Sequence, residues 1–241
     1  MPLKFNLFYK HPEIVYGITE QADGSMGYTT PGYSKPEHFN NRKVYFRKQG
    51  INTDQVFFPN MEHGNTIVVI NKQNELKSQP IADGVVTKLT GVVLAITSAD
   101  CFSVYAYDPV QKVIGLAHAG WKGVAGGVVP NLIKTLTIYC QSLKKDILVG
   151  IGPGIGKCHF EIKPETLPHY LAYSECIEQK GEKIFIDLEG IIVQQLLFAG
   201  IKKENIELSK QCTYCLDKIY FSNRRDKPKL LETMISFIML K

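Results

Sequence analysis

Apolar positions along this chain follow two rhythms. Near-continuous apolar runs fall at residues 92–97, 104–107, 113–117 and 147–151, and runs of that length predict strands covered on both faces. Shorter strands are predicted at 55–58, 66–70, 184–186, 206–208 and 218–221. Between them, Val129, Leu132, Ile133, Leu136 and Tyr139 recur at helical spacing within 126–143. A second helix is predicted at 188–199, with Asp187 as N-cap and Gly200 beyond its end, and an earlier one at 40–49, with Asn40 or Asn41 as N-cap and Gly50 closing it. Residues 17–36, rich in Gly, Pro, Ser and Tyr, predict an irregular loop. The mixture predicts an α/β (α+β) fold with a mixed sheet. No repeat, low-complexity tract or polar linker divides the chain, so residues 1–241 are expected to form one domain.

Composition narrows the function classes. With 44% hydrophobic residues in 241, the chain can bury a large core. The net charge of +5 is mild and its lysines are scattered rather than interleaved with aromatics, which points to a solvated surface and away from nucleic acid. No run approaches the roughly 18 apolar residues of a membrane span, and the first residues lack the apolar segment of a secretory signal, so a cytoplasmic location away from membranes is expected. Six cysteines spread thinly over this length suit reduced thiols or metal ligands better than a disulfide framework.

The chemistry concentrates where predicted strands end beside small residues: His63-Gly64, Asp100-Cys101 and His118-Ala119-Gly120, the last followed by the lone tryptophan, Trp121. Separations of 38 and 17 residues are too long for a zinc-finger knuckle and suit a site assembled from three loops. Two imidazoles and one thiolate form a set that zinc accepts, and three protein ligands leave a fourth position open, the catalytic pattern. The same residues could serve a metal-free hydrolase with Cys101 as nucleophile and His118 as base. Each also has a structural reading: a buried thiol, a loop histidine bonded to backbone, a core histidine.

Two further patterns invite and then fail a match. His159-Phe160-Glu161 with Cys212-Thr213-Tyr214-Cys215 imitates the signature of zinc nucleobase deaminases, but Gln211 replaces its proline and Pro164 follows too soon for a useful helix. The glycine run 150–157 satisfies neither the phosphate-loop nor the dinucleotide pattern and reads as a turn. Arg42 and the pair Arg224-Arg225 carry forked donors suited to anions, though on sequence alone they read as solvated surface.

Taken together, Asn41-Arg42, His63-Gly64-Asn65, Ala82-Asp83-Gly84, Thr97-Ser98-Ala99-Asp100-Cys101, His118-Ala119-Gly120-Trp121-Lys122-Gly123, Gly152-Pro153-Gly154-Ile155-Gly156, Cys212-Thr213 and Ser222-Asn223-Arg224-Arg225 resemble, in order and spacing, the YfiH-like family. Its members have been called multicopper polyphenol oxidoreductase (laccase-domain) proteins and, more recently, purine nucleoside phosphorylases. The resemblance runs from about residue 13 to the C-terminus. It implies one zinc ion held by His63, Cys101 and His118, and a fold similar to the cysteine-dependent deamidase domain of bacterial toxins. It also implies phosphorolysis of adenosine, inosine and methylthioadenosine, deamination of adenosine and, in some bacterial members, amidase editing of peptidoglycan precursors. The expected partners are therefore a purine nucleoside and phosphate. Copper is the less favoured occupant, because six histidines, of which only His63 and His118 fall in the motifs, cannot build several copper centres.

Within that frame, Arg42 or Lys122 is expected to hold the anion. Asp100 is expected either to act in proton transfer beside Cys101 and His118 or to tie down its loop. Trp121 is expected either to stack on a base or to wedge the core. The chain departs from the family pattern at Ser103, where proline is usual, and at Pro228-Lys229-Leu230-Leu231-Glu232, where a Gly-Arg pair is usual.

Overall fold

The computed structural model describes residues 3–27 and 35–241. Its centre is a six-stranded mixed sheet in the order β12 (Ile206–Leu208), β8 (Leu148–Ile151), β6 (Phe102–Asp108), β7 (Val113–Ala119), β4 (Gly84–Thr87) and β3 (Ile67–Ile70). The outer pairs, β12–β8 and β3–β4, are parallel and the inner pairs antiparallel. A second sheet runs β1 (Ile14–Ile18), β13 (Met234–Leu240), β5 (Val93–Ser98), β2 (Val56–Phe57). A small antiparallel sheet joins β10 (Ile177–Lys180), β11 (Lys183–Ile186) and β9 (Glu161–Ile162).

Side-chain alternation along the strands explains how these layers stack. Val104 and Ala106 of β6 face one way, with Val86 and Ala117, against α4 (Val128–Tyr139) and α5 (Leu188–Phe198). Tyr105 and Tyr107, with Val85, Ile114 and Leu116, face the other way, against Leu94, Ile96 and Ile238 of the four-stranded sheet. The opposite face of that sheet, Val93, Ala95, Ile235 and Phe237, is covered by Phe46 of α2 (Pro36–Lys48). Both sheets are therefore sandwiched, which is why their strands are apolar on both faces. Three short helices complete the set: α1 (Asn6–Tyr9), α3 (Trp121–Ala125) and α6 (Asn223–Asp226). No helix among the described residues is long and apolar enough to cross a membrane.

Where the structure departs from the sequence expectations, the cause is local. The helix expected at 40–49, α2, starts at Pro36, four residues before the expected start, because proline at the first helical position already has the required φ. The helix expected over 126–143 is α4, shortened to Val128–Tyr139 and separated from the preceding α3 at Gly127, whose φ of 86° lies in the left-handed region. Residues 218–221 form a turn rather than a strand, held by the N–H groups of Ile219 and Tyr220 donating to the Leu216 carbonyl. Of the loop expected at 17–36, residues 28–34 lie outside the described ones, and Gly17 and Ile18 belong to β1. The strands β1, β4, β9, β10 and β13 were not anticipated.

Because Leu132 is fully buried between α4 and the six-stranded sheet, Leu132→Ala is expected to destabilise the fold by about 2–5 kcal/mol, read as a lowered unfolding midpoint in urea.

Candidate metal centre and cavity

The chain passes from one sheet to the other between β5 and β6, and this crossing places Asp100 and Cys101 at a corner where both sheets end. Asp100 makes the corner with φ 83°, unusual for a non-glycine residue. Both of its carboxylate oxygens are used. Oδ1 accepts from the Thr213 hydroxyl at 2.6 Å and Oδ2 from the Arg224 backbone N–H at 2.7 Å. The carboxylate therefore ties the corner to two distant segments.

His118 sits near the end of β7, paired with Ser103 of β6, on the same strand face as Leu116 and Ile114. Its ring is almost fully buried, and its Nδ1 lies 2.9 Å from Oδ1 of the fully buried Asp83, just before β4. Asp83 also accepts from the backbone N–H groups of His63 (2.9 Å), Gly64 (2.6 Å) and Glu62 (3.3 Å). These bonds hold the loop in which His63 adopts a φ of 62°. Burial works against the Asp83 charge, yet the His118 imidazole and the N–H groups of Gly64 and Glu62 keep its carboxyl below the ordinary carboxylate range.

His63, Cys101 and His118 bring one donor atom each within 4.8 Å of one another. The two imidazoles meet edge to face at 4.8 Å between ring centres. With Nδ1 of His118 given to Asp83, its Nε2 is the nitrogen left to face the cluster, the carboxylate–histidine arrangement that supports metal ligands. Burial would raise the Cys101 thiol, but the charges of and hydrogen bonds from His118 and His63 outweigh it and hold the thiol well below its usual value. Burial would likewise lower His118, and the Cys101 thiolate and Asp83 overcome it and push the imidazole up. Gly120 closes over the cluster: a Cβ there would sit 2.9 Å from Cys101 Sγ, 3.0 Å from His63 Cδ2 and 3.4 Å from His118 Cε1. A thiolate, two imidazoles, a carboxylate fixing one tautomer, and a glycine leaving them room fit a single zinc ion.

The cluster opens into a cavity of about 430 Å³, within the usual range for small-molecule sites. His63, Cys101 and Asp100 border it, with Trp121, Phe160 and Arg224 among its other walls. Trp121 thus both packs against the core and faces the cavity. Arg224 donates through one terminal nitrogen to the Glu161 carbonyl at 2.8 Å and the His159 carbonyl at 3.4 Å, and lies 5.7 Å above the Phe160 ring. Arg225 points elsewhere, donating to the carbonyls of Thr213, Tyr214 and Tyr220 and pairing with Asp226.

The two cations expected to hold an anion are not brought to this cavity. Arg42 is buried in α2, its Nε donating to the Met26 carbonyl at 2.7 Å and its guanidinium 5.1 Å from the Phe58 ring centre. Lys122 is exposed on α3, its ammonium 5.6 Å from the Trp121 ring centre. Arg224 stands where they were expected. Asp83, conspicuous in sequence only as part of Ala82-Asp83-Gly84, received no role there. Its signal was a lone acidic residue just before an apolar strand. Ser103, at one departure from the family pattern, donates its hydroxyl to Ser236 at 2.7 Å, bonding the two sheets, and Leu231, in the other, lines the cavity.

Comparison with known proteins agrees with this architecture. The purine nucleoside phosphorylase YlmD of Geobacillus stearothermophilus is 33% identical over 179 residues, covering 68% of this chain and 65% of that protein. The purine nucleoside phosphorylase YfiH of Escherichia coli is 30% identical over 210 residues, covering 85% of this chain and 82% of that protein. The chain spans less than two thirds of the Geobacillus relative and 45% of mouse and human relatives. The crystal structure of the Bacillus licheniformis protein YfiH superposes with a TM-score of 0.88 at 27% identity, covering 100% of this chain and 96% of that one. The family model described as multi-copper polyphenol oxidoreductase laccase matches residues 32–241, and the chain belongs to that family.

Proposed function

We propose that the chain is a purine nucleoside enzyme that cleaves adenosine, inosine and methylthioadenosine with phosphate and deaminates adenosine, with one zinc ion held by His63, Cys101 and His118. The observation that carries this reading is a three-ligand cluster with an open side, facing a cavity that offers flat aromatic walls and one fixed guanidinium. The names of the relatives point to the same class of substrate.

The chain's own residues supply binding and orientation. Trp121 and Phe160 present apolar faces for a purine, and Ile155, Leu188 and Leu231 keep bulk water from the cavity. Arg224, braced by the Glu161 carbonyl, provides a preoriented fork for phosphate. In phosphorolysis a phosphate oxygen bonds to the ribose C1′ as the C1′–N9 bond breaks, its electron pair leaving with the purine, which takes up a proton. In deamination, water adds at C6 and ammonia departs. A zinc ion held by His63, Cys101 and His118 would supply Lewis acidity to acidify water or polarise a substrate atom. Asp83 keeps the Nδ1 proton on His118, so that the opposite nitrogen remains a donor for the ion. Asp100 acts as a positioning residue, holding the corner that carries Cys101.

Copper oxidation of phenols is disfavoured by the donor count. Of the histidines, His63 and His118 are in this cluster and His159 lies elsewhere, while His11 contacts Glu13, His38 is buried in α2 and His169 packs on Trp121. A multicopper centre needs more imidazoles together than this.

Cys101→Ala is expected to abolish turnover of adenosine and inosine with phosphate while the protein keeps its circular dichroism and cooperative melting; unchanged turnover would sink the proposal. Asp83→Asn should weaken zinc binding about 10–100-fold in a chelator competition, and unaltered affinity would remove Asp83 from its assigned role. Arg224→Ala should raise the KM for phosphate about tenfold or more, with a smaller change in the KM for the nucleoside; equal changes in both would contradict a phosphate contact.

A further inference from the structure

A second cluster of metal-competent side chains is built from the segment that follows Ile155 and from the turn after β12. Cys158, His159, Cys212 and Cys215 bring Sγ, Nδ1, Sγ and Sγ within 4.8 Å of one another. The two pieces come from segments more than fifty residues apart, Cys158-His159 after β8 and Cys212-x-x-Cys215 after β12, joined by a bridge between Gly154 and Cys212. All three cysteines are free, and the sulfurs stand too far apart to be bonded: Cys158 lies 3.7 Å from Cys212 and 3.6 Å from Cys215. His159 Nδ1 is 3.2 Å from Cys158 Sγ and 3.4 Å from Cys215 Sγ.

These separations match the edges of a coordination tetrahedron. With zinc–sulfur bonds of about 2.3 Å and zinc–nitrogen bonds of about 2.0–2.1 Å, tetrahedral ligands stand about 3.8 Å apart for two sulfurs and about 3.5 Å for sulfur and nitrogen. The surroundings are built for ligation too. The Gly156 N–H donates to Cys212 Sγ at 3.2 Å, and the Cys215 N–H donates to the same sulfur, the bonding of a two-cysteine knuckle to its metal thiolate. The His159 ring lies flat on Tyr214, 3.8 Å between centres and 12° between planes, which fixes its orientation. Glu161, needed as the acid–base residue of a deaminase, faces away and pairs with Lys183 at 3.1 Å. The deaminase pattern is thereby excluded as a description of this cluster, although its cysteines and histidine do meet.

We propose that Cys158, His159, Cys212 and Cys215 form a second, closed metal site that binds one zinc ion and clips the loop after β8 to the turn after β12. Four protein ligands leave no position for water or substrate, so the site is structural. It braces the cavity through both pieces it joins. The Ile155 N–H donates to the Asp100 carbonyl at 2.8 Å, and Thr213 donates to the Asp100 carboxylate. The inference does not depend on the proposed reaction, since a chain with another activity would need the same clip.

Elemental analysis of the purified full chain, supplied with zinc during expression, should give two zinc ions per chain, falling by one in Cys158→Ser/Cys215→Ser. Because losing two ligands of a structural site also threatens the fold, the decisive measurement uses Cys101→Ser reconstituted with cobalt(II). Retention of strong thiolate-to-cobalt charge-transfer absorption assigns the metal to the three remaining clustered thiolates, and its loss refutes the site. In the unaltered zinc-loaded protein, the exposed thiols of Cys158 and Cys215 should resist a thiol reagent until a strong chelator is added. Equal reactivity before and after chelation, or a disulfide among these cysteines in a peptide map, would also overturn the proposal.

Discussion

One buried carboxylate organises the candidate active site. Asp83 has no access to solvent, and a charge so placed is tolerable only if every side of it is bonded. It is met by the His118 ring and by three consecutive backbone N–H groups of the His63 loop. Two histidines of the cluster, 55 residues apart in sequence, thereby share one anchor. The third, Cys101, is positioned independently by the Asp100 corner, whose own bonds reach Thr213 and Arg224. Two buried carboxylates at strand ends thus anchor the cluster separately.

The rest of the fold supplies stiffness to those two anchors. Sandwiching both sheets between helices leaves β6 and β7 fully buried, so the strand ends that carry Cys101 and His118 have little freedom to shift. Loop residues and the first residues of α3, α5 and α6 wall the cavity.

Much of this was legible in the chain, for identifiable reasons. The runs 92–97, 104–107 and 113–117 could be read as strands because burial on both faces leaves no polar position to break them. Cys101 and His118 stood out as polar, metal-competent groups beside the ends of those runs, and His63 as one between the shorter predicted strands 55–58 and 66–70. Arg224 was not separable from Arg225 by sequence, since adjacent arginines point to different neighbours and only the fold decides which one meets the cavity. Arg42 is the converse case: as a cation within a family motif it is expected to hold an anion, whereas in the fold its Nε meets the Met26 carbonyl and its guanidinium the Phe58 ring. Strands β1 and β13 escaped notice because their pairing partner lies at the other end of the chain, a relation that local periodicity cannot carry.

That last pairing has a consequence for how the protein comes into being. β13 lies between β1 and β5, bonded to both, so the four-stranded sheet has a gap at its middle until residues 234–240 arrive. During synthesis every other described element leaves the ribosome before the strand that unites this sheet. The Asp100 corner, which extends from β5, then gains its bonds to Thr213 and Arg224 only in the same late interval. Folding of this half of the molecule is therefore dominated by long-range closure and correspondingly slow, and the Asp100 corner is among the last parts to set.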